Sequence, residues 1–196
     1  MKAEDMLINA MRRPEKERGL RITKPNSYSR EGHMGKADHN LVVMTDLSRL
    51  GHEDWVVIVA YYSMYQAATA LLANIGLESK DHATTAAVLE YFFGEHISGD
   101  MIEKFNELKE RKDKVEAITI EEKYIDYLWK AKQAREAVQY GISINYEETN
   151  TIMGNARGFV SKLKIVNSEL NDKIVAVIQK RMSELREIAM KYRQGS

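Results

Sequence analysis

The chain has 196 residues, 29 Lys and Arg against 29 Asp and Glu, 44% hydrophobic residues and no cysteine. A chain of this length hides about 70% of its unfolded surface, enough for one good core, so a single domain with helical extensions is expected. Balanced charge excludes a whole-molecule field that gathers nucleic acid and leaves only local patches for such contact, while the absence of cysteine excludes disulfides, thiol nucleophiles and thiolate-bound zinc and suits a reducing compartment.

In chain order, residues 3–12 read as a short amphipathic helix built on Met6, Leu7, Ala10 and Met11 and ended by Pro14. The opening residues contain no apolar run of signal-peptide length, which points to the cytoplasm. A basic connector follows, in which Arg12, Arg13, Lys16, Arg18, Arg21, Lys24 and Arg30 face only Glu15 and Glu17. It reads as a solvated arm or as one that touches phosphates or an acidic partner. Ala37, Leu41, Val42, Met44, Thr45 and Leu47 then predict a helix over 35–49, stopped by Gly51 and antiparallel to the next.

The next stretch, DWVVIVAYYSMYQAATALLANIG (54–76), organises the chain. No charged residue lies between Asp54 and Glu78, and apolar side chains point in nearly every direction of a helical wheel, the pattern of a helix covered on all sides. About 20 such residues also span a bilayer. Here, however, Ser63, Gln66, Thr69 and Asn74 would sit in hydrocarbon and the tyrosines fall mid-segment, so a central helix of a soluble bundle is expected, with Tyr61, Met64, Ala68 and Leu71 in the packed interior. Ser63, Gln66 and Thr69 form one narrow polar stripe, suited to bonding an adjacent helix or to lining a polar site.

Beyond Gly76, Asp81 is the expected N-cap of a helix that uses Ala83, Ala86, Ala87, Leu89, Tyr91 and Phe92 and ends at Gly94. Ser98 or Asp100 starts another, with Met101, Ile102, Phe105, Leu108 and Val115 on its apolar face. Thr119 and Glu122 read as a capping box opening a helix that carries Tyr124, Ile125, Leu128, Trp129, Ala131, Ala134 and Val138 and closes at Gly141. The last segment, 146–193, places Phe159, Val160 and Leu163 in the bundle and then a coiled-coil-like seam, Val175, Ile178, Met182, Leu185, Ala189 and Tyr192, suited to a partner helix. No strand-type alternation, internal repeat or low-complexity tract is visible.

The chemical signatures are sparse. There is no Gly-rich phosphate loop, HExxH or GxSxG, and none of the five histidines has a glutamate three residues before it, so no cofactor and no metal is called for. His82 precedes or begins a helix, where a histidine ordinarily orders the turn by hydrogen bonding.

The segment YYSMYQAATALLANIGLESKDH resembles the signature of HEPN-domain proteins, small helical bundles often found beside minimal nucleotidyltransferases. Tyr61, Tyr62, Met64, Ala67, Ala68, Ala70, Leu71, Leu72, Gly76 and His82 fit that pattern, whereas Gln66 stands where many relatives have histidine. The resemblance covers about 37–166. It implies an all-α, mostly antiparallel bundle of four or five core helices over 35–166, preceded by the N-terminal helix and arm (1–34) and followed by a long C-terminal helical extension (167–196).

Arg135 to Tyr140, REAVQY, resembles the ending in which HEPN ribonucleases carry arginine, about four intervening residues and histidine, two copies meeting across a dimer interface. Arg135 takes the arginine position and Tyr140 the histidine position. Tyrosine titrates near 10 against about 6.5 for histidine, so no group in this ending is poised to move a proton near pH 7, and the balance leans away from an enzyme. The resemblance implies a non-catalytic interaction or nucleotide-binding module, homodimeric, paired with a nucleotidyltransferase, away from membranes, and holding a nucleotide or RNA through Arg135, Tyr140, Gln66 and His82. The alternatives are a metal-independent ribonuclease of toxin type and a purely structural helical dimerisation protein. On a plainer reading, Arg135 pairs with a neighbouring acid and Tyr140 packs at a helix end.

Overall fold

A computed structural model of the chain describes residues 2–13, 19–95, 118–141 and 144–194. Within these, seven helices and two short strands follow in the order α1 (Ala3–Arg12), β1 (Leu20–Ile22), α2 (Ser27–Arg49), α3 (Glu53–Asn74), β2 (Leu77–Ser79), α4 (His82–Phe93), α5 (Glu122–Gln139), α6 (Tyr146–Glu169) and α7 (Asp172–Gln194). The fold is an all-α bundle.

Helix α3 is the axis. Val56, Val57, Ala60, Tyr61, Met64, Ala67, Ala68, Leu71 and Leu72 are all buried, because α2, α4, α5 and α6 pack around it. By length and composition α3 could cross a membrane, yet 67% of its most apolar window is buried inside the protein. Small residues let the neighbours approach, and the polar stripe serves one of them. The Ser63 hydroxyl donates to the Ala37 carbonyl of α2 (2.8 Å) and Gln66 Oε1 meets His33 Nδ1 of α2 (2.6 Å), while Thr69 turns back on the Tyr65 carbonyl of its own helix.

Three contacts fix the antiparallel course of α2 and α3: Arg30 with Asn74, His33 with Gln66 and Ala37 with Ser63. The link between them turns at Gly51 (φ +74°). Helix α6 runs antiparallel to α2, through Arg157 to Thr45 and Lys164 to Asp38 (2.6 Å), and meets the end of α3 where the Asn74 amide donates to Asn167. Helix α5 runs antiparallel to α6, since Glu121 pairs with Lys162 (3.2 Å) and Tyr124 lies against Gly158.

Helix α2 begins eight residues before the expected 35. Asn26 caps it by accepting from the Ser29 amide (2.9 Å), and Gly32 and Gly35 lie within the helix with nothing close to them. Packing along α3 overrides the low helix propensity of that first stretch. The capping box expected at Thr119 does not form. The Ile120 amide donates to the Phe93 carbonyl (2.6 Å) and Ile120 bridges Gly94, so residues 119 and 120 stay outside the helix, and Glu121 becomes the N-cap without a side-chain cap bond. The helix expected around Met101, Ile102, Phe105, Leu108 and Val115 lies outside the described residues.

The basic connector contains a strand that sequence periodicity gave no sign of. β1 pairs antiparallel with β2 in the register Leu20↔Ser79, Arg21↔Glu78, Ile22↔Leu77. Three residues a side are too few for alternation to register. The turn between α3 and β2 is a junction: Gly76 (φ +71°) accepts from the Thr23 amide (2.8 Å), and the Gln179 amide of α7 donates to the carbonyls of Ile75 (2.6 Å), Gly76 (3.1 Å) and Thr23 (3.3 Å). Asp81 caps α4 as expected, accepting from the Thr84 amide (2.7 Å).

The coiled-coil-like seam of α7 finds its partner inside the chain. Ile178, Met182, Leu185 and Ala189 of the seam are buried and α7 packs on α1, whose Leu7, Ala10 and Met11 are buried in the same core, whereas its two ends miss: Val175 is only half-buried, with Ile174 taking the core position instead, and Tyr192 is 60% exposed. Arg181 ties the layers together, bonding the Tyr91 hydroxyl of α4 (2.8 Å), Glu4 of α1 (3.3 Å) and Glu184 (3.2 Å).

Candidate functional site

Where α3, the start of α4 and the last turns of α5 converge, aromatic rings and basic side chains meet. Tyr61 is fully buried and its hydroxyl is hydrogen-bonded to His82 Nδ1, the first residue of α4. The imidazole also lies against the ring of Tyr65, with centroids 4.2 Å apart. From α5, the Arg135 guanidinium sits over the rings of Tyr61 (5.4 Å) and Tyr62 (5.6 Å), a cation–π arrangement.

Among the described residues no carboxylate pairs with Arg135. Its Nη2 donates to Gln139 one turn on (2.8 Å), its Nε is buried with no hydrogen-bond partner, and among the described residues it makes no ion pair. The adjacent acid, Glu136, is taken by Lys132 (2.7 Å), whose hydrogen bond holds the carboxyl below its usual range. The expected pairing of Arg135 with a neighbouring acid therefore does not occur. Burial, followed by the positive charges of Arg135 and Lys132, pushes His82 below its ordinary 6.5, and burial drives the Tyr61 hydroxyl upward. The site at rest thus holds a neutral imidazole, a protonated phenol and an unmatched guanidinium.

The four side chains singled out in the sequence divide here. Arg135 and His82 meet at Tyr61, the guanidinium over its ring and the imidazole at its hydroxyl. Gln66 is turned to His33 and α2. Tyr140 is the C-cap of α5 and is 87% exposed, so it does not pack at the helix end. Five helical positions rotate by about 140° relative to Arg135, which sends the two side chains apart. Tyr61 and Tyr62 belong to the site, although the sequence marks them only as members of the central helix and of the signature it carries. Their signal was the adjacent tyrosine pair, since one faces the interior and the other, 36% exposed, faces outward. Trp55, two turns before Tyr62 on the same helical face, is also exposed. Among the described residues no three His, Asp or Glu side chains gather into a metal-binding group.

The family model of the HEPN domain matches residues 31–166, from within α2 to near the end of α6, leaving α1, β1 and α7 outside. No curated protein matches the chain.

Proposed function

The chain belongs to the HEPN-domain family, and from that premise we propose that it is a non-catalytic module that binds a nucleotide or RNA phosphate at Arg135. The supporting observation is the guanidinium without a carboxylate, held over two tyrosine rings with its Nε buried and unbonded. An arginine that is half-buried without a counter-anion is costly unless something else matches it, and a phosphate oxygen fits its planar fork of donors. Tyr140 in place of histidine, exposed and away from Arg135, supports binding over cleavage. HEPN domains commonly form dimers. We place the functional unit as a cytoplasmic homodimer built on the α3 and α5 surface beside Arg135, with a nucleotidyltransferase as partner.

Titration calorimetry with nucleotides and short RNA, and a nuclease assay on the same preparations, test this. Salt-sensitive binding that weakens at least tenfold in Arg135→Ala, persists in Tyr140→Phe and leaves RNA intact is the expected result. RNA cleavage by the wild type that disappears in Arg135→Ala would replace the proposal with a ribonuclease. Absence of binding would leave a structural dimerisation protein.

A further inference from the structure

His82 contributes one ring nitrogen to the fold, Nδ1 at the Tyr61 hydroxyl; Nε2 forms no hydrogen bond with the described residues. The charged groups that face the imidazole come from two elements. Helix α5 supplies Arg135, Lys132 and Glu136, and Asp81 stands immediately before the ring; Tyr61 and Tyr65 of α3 close the remaining side. Both acids are committed: Glu136 to Lys132, and Asp81 to the amide and hydroxyl of Thr84, each at 2.7 Å. The four charges sum to zero, but Arg135 acts most strongly on the imidazole and, unlike Lys132, is not taken by an acid among the described residues.

A singly charged phosphodiester is matched by one guanidinium. A phosphomonoester carries close to two charges at neutral pH, and its second charge needs a further cation in a site screened less than open water. We infer that Arg135 and His82 form a two-point site for a phosphomonoester, the terminal phosphate of a nucleotide or of an RNA end, and that His82 takes a proton from solvent as the phosphate binds. The inference rests on the anion-binding reading of Arg135. Its physical basis is reciprocal: burial first and then the charges of Arg135 and Lys132 disfavour protonation of the free imidazole, and a dianion beside the ring offsets those charges and attracts a proton, so that the ring donates from both nitrogens, one to Tyr61 and one to phosphate.

The test is calorimetry on the full chain with AMP against cyclic AMP, which carries the same base on a diester, and with a short RNA bearing a 5′-phosphate against its 5′-hydroxyl form. AMP and the phosphorylated RNA distinguish a free nucleotide from an RNA end as the source. Each titration is run in buffers of different ionisation enthalpy. The inference expects the monoester to bind at least tenfold more tightly than the diester, with net proton uptake at pH 7. Affinity for it should rise about threefold from pH 7.5 to 6.5, because proton uptake links binding to pH. The phosphate's own titration near pH 6 works in the opposite direction, so His82→Gln should reverse the slope and bring the two ligands within about twofold of each other. Equal monoester and diester binding without proton uptake, still weakened by Arg135→Ala, overturns this inference and leaves the Arg135 site standing; no binding of any probe removes both. The wild-type measurements decide the matter even if His82→Gln fails to fold.

Discussion

Gly76→Ala tests the junction at the end of α3. Three costs add there. The residue sits at φ +71°, where an L side chain loses about 1–2 kcal/mol. A Cβ would also stand 2.7 Å from the Thr23 carbonyl oxygen and 2.9 Å from the Pro25 nitrogen, and closer still to the Gln179 amide. Backbone at those distances cannot yield without strain, which overpacking data put at about 1–3 kcal/mol. Displacing Gln179 from its three carbonyls forfeits roughly 1 kcal/mol more for each good bond lost. With one to three of those bonds lost, the expected total is about 3–8 kcal/mol. Gly51→Ala is the internal control, since Gly51 has φ +74° but open space where its Cβ would go, so only the conformational cost of about 1–2 kcal/mol applies. Urea unfolding of both variants, with Gln179→Ala alone and combined with Gly76→Ala, reads the difference. In the combined variant the loss should fall short of the sum by about 1 kcal/mol, because the two changes act on the same contact. Equal destabilisation by Gly76→Ala and Gly51→Ala would refute the account of the junction.

Ala68 is fully buried in α3, so Ala68→Leu should destabilise by about 1–3 kcal/mol; an unchanged unfolding midpoint would show that the helix is not enclosed on that side. His82 titrates lower in the folded chain than its usual 6.5, so the unfolded chain binds the proton more readily. Stability should therefore be unaffected by this group above about pH 6.5, fall as pH drops below it, and level off once the folded-state value is passed. Unfolding at pH 7.5 and 5.5 should show a larger acid loss in the wild type than in His82→Gln, and equal losses would remove the buried, neutral imidazole.

The central helix was legible because covering on all sides needs no phase: an uncharged run containing small residues reads as enclosed whatever surrounds it. The Asp81 cap and the α7 seam were legible for a related reason, since both are local spacings. The first turn of α2 was not, because Ser27, Ser29, Gly32 and Gly35 are poor helix formers that only contact with α3 holds in register. The site was half visible. Arg135 could be picked out, but sequence spacing tied it to Tyr140, whereas the structure ties it to Tyr61 and His82, distant residues that only tertiary packing brings together. The absence of an acid partner was equally hidden, because Glu136 is adjacent in sequence and belongs to Lys132 in space.

The pairing of α1 with α7 has a temporal side. These helices come from opposite ends of the chain, joined by Arg181 and Glu4, 177 positions apart. A ribosome adding about 5–20 residues per second leaves α1 waiting on the order of ten seconds before α7 exists to cover it. Throughout that interval the sticky stripe of Leu7, Ala10 and Met11 has no permanent cover on its α7 side, while the segment matched by the family model can already assemble around α3. The α1–α7 layer is thus laid down after the family segment, and newborn chains keep this stripe open to mutual adhesion until α7 emerges.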